Sequence, residues 1–91
     1  MQKIIEPTSM HSIESAYIMI NCEVGSESSV MEQLKSIPGI KEVRGVFGNY
    51  DVMVKIQAPS IESLRDIITH QIRKIPQIRF TTTVMCSKTI V

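Results

Sequence analysis

Four consecutive residues, Gly48-Asn49-Tyr50-Asp51, hold the side chains of this chain best suited to chemistry. Gly and Asn tolerate the backbone conformations of a tight turn, and Asn and Asp side chains fold back on their own backbone. A turn needs only the first two. Tyr50 then adds a phenol and Asp51 a carboxylate where the chain leaves the turn. Exposed backbone N–H groups could take the carboxylate of a small zwitterion, and Asp51 its ammonium. The plainer alternative is a hairpin closure in which Asp51 accepts bonds from nearby backbone N–H groups, and both stay open. Thr81, Thr82 and Thr83 offer hydroxyls that could reach a ligand, although threonine is also simply a good strand residue.

No other residues suggest a reaction. His11 and His70 have no Cys or Asp at catalytic spacing, so no nucleophile, general base or metal centre is expected, and no cofactor. Cys22 and Cys86 cannot form a disulfide framework or a zinc site by themselves; they read as small buried hydrophobes of a reducing, cytoplasmic protein. Ten basic and nine acidic residues give a net charge of +1. Without a basic face a chain gains little by releasing counterions from phosphates, so direct DNA binding is not expected. No apolar run is long enough to span a membrane.

The elements that position the tetrapeptide follow from periodicity. Residues 1–15 carry no sustained pattern and read as a loose arm; residues 16–91 form one domain. Tyr17 to Val24 alternates as a strand. Gly25 ends it, Ser26 is placed to cap a helix from Glu27 to about Ile37, and Val30, Leu34 and Ile37 form its apolar stripe. Pro38-Gly39 stops that helix. Val43, Gly45 and Phe47 belong to a second strand, and Tyr50, Val52, Val54 and Ile56 alternate through a third. Ser60 begins a second helix with Ile61, Leu64, Ile68, Ile72 and Ile75 on one face, and Pro76 ends it. Arg79 to about Lys88 makes a last strand.

The order β-α-β-β-α-β predicts an α+β, ferredoxin-like sandwich. Right-handed crossovers give a four-stranded antiparallel sheet of order 4-1-3-2 with both helices on one face. If Ile18, Ile20, Cys22, Val52, Val54 and Ile56 face the helices, Tyr17, Met19, Asn21, Met53, Thr81, Thr83 and Met85 face away. Such a half-apolar face, with three thioethers on adjacent strands, suits contact with a second copy: a homodimer packed sheet to sheet. The expected dimer interface is therefore Tyr17, Met19, Asn21, Met53 and Met85.

From Tyr17 to Ile90 the chain resembles the ligand-binding (RAM) domain of the Lrp/AsnC regulators. The resemblance rests on Ser36-Ile37-Pro38-Gly39-Ile40, on Gly48-Asn49-Tyr50-Asp51, and on the closing strand Arg79-Phe80-Thr81-Thr82-Thr83-Val84. It implies sheet-mediated dimers, assembly into larger rings, and small effectors, usually amino acids, held between dimers, with the tetrapeptide as the effector loop. Regulators of this family carry an N-terminal helix-turn-helix domain. Only about sixteen residues precede the first strand here, so a ligand-binding domain without that DNA-binding part is expected. It would bind a free amino acid, and would modulate full-length Lrp/AsnC regulators by co-assembly. The alternative is a structural dimeric adaptor with no physiological small ligand.

Overall fold

A computed structural model describes residues 13–86 of the chain. The expected loose arm, apart from its last three residues, lies outside the described residues, as do His11 and the far end of the last strand. Four strands, β1 (Glu14–Cys22), β2 (Ile40–Gly45), β3 (Val52–Ala58) and β4 (Ile78–Met85), form one sheet of order β2-β3-β1-β4. Read from the β4 edge this is 4-1-3-2, and every neighbouring pair is antiparallel. Helix α1 (Glu27–Lys35) joins β1 to β2, and α2 (Ile61–Ile67) follows β3. The architecture is the α+β, ferredoxin-like one that the periodicity predicts.

Alternation settles which face is covered. Ala16, Ile18, Ile20, Cys22, Val52, Val54, Ile56 and Ala58 are buried against Val30 and Leu34 of α1 and Leu64 of α2. Burying an aliphatic side chain of this size contributes about 1.5–3 kcal/mol, far more than a residue's intrinsic preference for a strand or helix. The one-sided apolar pattern therefore holds the sandwich together.

Local chemistry moves several boundaries. β1 begins three residues earlier than predicted and stops at Cys22, leaving Val24 fully exposed. α1 ends at Lys35, yet Ile37 still packs into the core beyond it. Ser26 does not cap α1 through its side chain; its hydroxyl donates to the Glu23 carbonyl at 2.6 Å. Ser60 does cap α2, its Oγ accepting from Ser63 N–H at 3.0 Å. Ile61, expected on the apolar face, is exposed because it sits in the first turn, ahead of the buried Leu64. Phe47 and Tyr50 lie in the connection between β2 and β3 rather than in strands, and Phe47 is fully exposed. Cys22 is buried as expected, whereas Cys86 is exposed just past β4.

The largest correction concerns β4. Pairing places Ala16 opposite Met85, Ile18 opposite Thr83 and Ile20 opposite Thr81. Paired residues share a face, so Met85, Thr83 and Thr81 lie on the helix side, not on the open side. Phe80, Thr82 and Val84 take the open side, opposite Asn21, Met19 and Tyr17. A one-residue slip of parity inverts a whole strand. In Thr81-Thr82-Thr83 no apolar alternation marks which parity is right.

Gly39 positions the entry to β2. Its φ of +97° is one that L side chains rarely adopt, and a Cβ there would lie 2.9 Å from the Gln57 carbonyl oxygen. Its own carbonyl accepts Gln57 N–H at 2.9 Å, tying the turn to β3.

Candidate functional site

The chain leaves β2 at Gly45 and enters β3 at Val52, with Val46 N–H donating to the Asp51 carbonyl at 3.0 Å across the neck of the loop. Gly48 supplies the sharp bend, with φ of +117° and no atom near the position a Cβ would take. Asn49 keeps a negative φ. Its contribution is its carbonyl, which accepts the side-chain amide of Asn21 at 2.7 Å.

Asp51 is bound to β1 twice. Its N–H donates to the Ile20 carbonyl at 2.8 Å, and its Oδ2 accepts Cys22 N–H at 2.9 Å. The carboxylate thus replaces a strand carbonyl at the point where β3 has run out, which satisfies a partly buried donor. This is the hairpin-closing role weighed for Asp51. Tyr50 reaches further: its hydroxyl donates to Thr82 Oγ1 at 3.5 Å, the outer limit of a hydrogen bond. The tip is therefore laid over the open side of the sheet, resting on Asn21 of β1 and pointing to Thr82 of β4.

The structure brings Gly48, Asn49, Tyr50, Asp51 and Thr82 to one end of the open face, with Asn21 beneath them. Thr81 and Thr83 are on the opposite side of β4. Asn21 was legible only as a face residue; a short amide on a strand end next to a turn was the available signal for its role at the tip.

The rest of the open face has an apolar middle and a charged rim. Met19 lies opposite Met53, Thr82 flanks Met19, and Arg44 of β2 flanks Met53. In the next row Tyr17 lies between Val84 and Lys55, and Lys55 Nζ stands 5.9 Å from the centroid of the Tyr17 ring. Glu42 and Arg44 form an ion pair at the β2 edge, and that contact raises the Arg44 pKa above its ordinary value. Just past α2, His70 Nε2 lies 3.5 Å from Asp66 Oδ1, both side chains in solvent. Among the described residues no group of three or more His, Cys, Asp or Glu could hold a metal ion, and no helix is long and apolar enough to cross a membrane.

Among the described residues, the molecule is a ferredoxin-like sandwich whose β2–β3 turn is fastened over one end of the sheet face away from the helices. Residues 15–91 match the Lrp/AsnC ligand binding domain, and the chain belongs to that family. Among curated relatives it is 36% identical over 67 residues to a homocitrate synthase of Sulfurisphaera tokodaii, covering 72% of this chain and 14% of that protein. It is 30% identical over 79 residues to the uncharacterized HTH-type transcriptional regulator PF0250 of Pyrococcus furiosus, covering 84% of this chain and 53% of that one. The chain thus spans about half or less of the length of these relatives.

Among solved structures, FFRP-DM1 is 36% identical with a TM-score of 0.79, covering 81% of this chain and 99% of that one. Escherichia coli AsnC shares the fold, at 20% identity and a TM-score of 0.83, over 100% of this chain and 62% of its own.

Proposed function

We propose that this domain is a non-enzymatic sensor of a free amino acid, and that it carries its signal by assembling with copies of itself and with full-length regulators of its family. The observation that carries this reading is the placement of Tyr50 and Asp51 at the end of the sheet face that, among the described residues, no helix covers. A zwitterion needs N–H donors for its carboxylate and an acceptor for its ammonium. The Gly48-Asn49 backbone offers the first. Asp51 offers the second through the oxygen not used by Cys22, with the Tyr50 and Thr82 hydroxyls alongside.

The open face supports the assembly part. Tyr17, Met19, Met53 and Val84 give an apolar middle, and Glu42, Arg44 and Lys55 a polar rim, the usual anatomy of a protein interface. A second copy packed sheet to sheet would cover it symmetrically. A ligand at the tip then shifts assembly only as far as its affinity differs between the assembled and free states.

A thermal-shift scan against the proteinogenic amino acids tests the reading. At a hundred times its Kd a ligand adds about 2.7 kcal/mol, which raises the Tm of a domain this size by about ten degrees or more. A shift confined to chemically related amino acids, and lost in Tyr50→Ala, is the expected result. A flat panel would overturn the sensor and leave the adaptor.

One observation favours a second reading. The similarity to homocitrate synthase covers 14% of that enzyme, so a domain of this type also occurs within a biosynthetic enzyme's chain. In that reading the partner is a metabolic enzyme whose activity follows the effector. Co-sedimentation with the two kinds of partner separates the readings.

A further inference from the structure

Two departures from regular geometry meet at one corner of the molecule. Beyond α2 the helix widens into a π-turn over Ile68–Ile72, with Arg73 N–H donating to the Ile68 carbonyl at 3.0 Å. At the start of β4 the register shifts: Asn21 pairs with Phe80 and Cys22 with Ile78, which leaves Arg79 as the extra residue of a bulge. Irregularities of both kinds re-aim side chains and are over-represented at functional sites.

Here each delivers an arginine to the same place. Arg73, Ile78, Arg79, Phe80 and Thr81 line one concavity of about 210 Å³, room for a small metabolite rather than a single water. Among the described residues no carboxylate lines it. Among the described residues, neither guanidinium forms an ion pair with an acidic side chain. Two neighbouring positive charges without a counter-charge attract an anion, and the planar guanidinium fork takes oxyanions in bidentate fashion. Phe80, 66% exposed, adds an apolar wall, and Thr81 a hydroxyl.

We propose that this corner binds a small dianion, a dicarboxylate or a phosphate, at a site separate from the Gly48-Asp51 tip. An amino-acid zwitterion is the poorer match, because no lining side chain balances an ammonium. The inference does not rest on the sensor reading. A domain that binds nothing at its tip would still present the two arginines.

Calorimetric titration of the full chain with succinate and with inorganic phosphate, each to about 10 mM at low ionic strength, tests it. The expected result is saturable binding of at least one probe that weakens about tenfold or more in R73Q and in R79Q. K74Q, which removes an equal charge from the neighbouring residue outside the lining, keeps full affinity. The probe that binds tells carboxylate from phosphate. All three positions are exposed, and unchanged circular dichroism checks that each variant folds. No binding of either probe, or an equal loss in K74Q, would overturn the site.

Discussion

The Asp51 carboxylate stands where a strand carbonyl would otherwise be, 2.9 Å from the backbone nitrogen of Cys22. One acidic side chain thereby finishes the β1–β3 ladder and fixes the tip to the sheet. Its structural role is separable from any role toward a ligand.

Asp51→Asn keeps an oxygen that can accept from Cys22 N–H, whereas Asp51→Ala leaves that partly buried donor unpaired. The alanine variant should lose about 1–3 kcal/mol in urea unfolding and the asparagine variant clearly less. Equal losses would show that the hydrogen bond is not what Asp51 contributes. With the sensor reading, both variants lose the amino-acid thermal shift, because the ammonium loses its charged acceptor.

Two glycines with positive φ should respond unequally to alanine. At Gly48 nothing lies near the new methyl group, so only conformational strain of about 1–2 kcal/mol is expected. At Gly39 the same strain is joined by a 2.9 Å contact with backbone oxygen. Gly39→Ala should be the more destabilising by at least about 1 kcal/mol, read from denaturation midpoints at constant slope. A reversed order would count against the turn geometry described for both.

The corrected facing of β4 makes the dimer prediction sharper. Met53→Glu puts a charge at the centre of the open face and should give a folded monomer in sedimentation velocity. Met85→Glu alters the helix side of the same sheet and should leave association intact. If Met85→Glu alone dissociates the protein, the dimer uses another surface.

Leu64 and Ile61 lie three residues apart on α2 and should behave as core and surface. Leu64→Ala removes a fully buried side chain and should cost about 2–5 kcal/mol. Ile61→Ala, at 43% exposure, should fall within about 0.5 kcal/mol of the unaltered chain. Thermal unfolding of the two variants decides it.

Periodicity made the sheet, its order and the covered face legible, because Ile18, Ile20, Val52, Val54 and Ile56 repeat at the period of a strand. It failed in β4, where three threonines fit either face and the bulge at Arg79 shifts the pairing. At the tip, Gly48 and Asn49 announced a turn. The bond from Asn21 to Asn49 joins residues 28 apart, a separation no local pattern reports. Arg79 was legible only as the start of the last strand, and no local pattern joins it to Arg73, since only the π-turn and the bulge bring the two to one concavity. Ile61 was misplaced because a helical stripe extrapolated backward through the first turn runs off the edge of the core.

Each of those two arginines owes its placement to a single supernumerary residue. Deleting Arg79 restores a regular β1–β4 ladder without removing a core side chain, whereas a deletion within Ile68–Ile72 also shifts the buried Ile72. The anion corner is thus encoded partly in chain length. A one-codon insertion or deletion is enough for a domain of this fold to gain or lose it, a shorter route than a set of concerted substitutions.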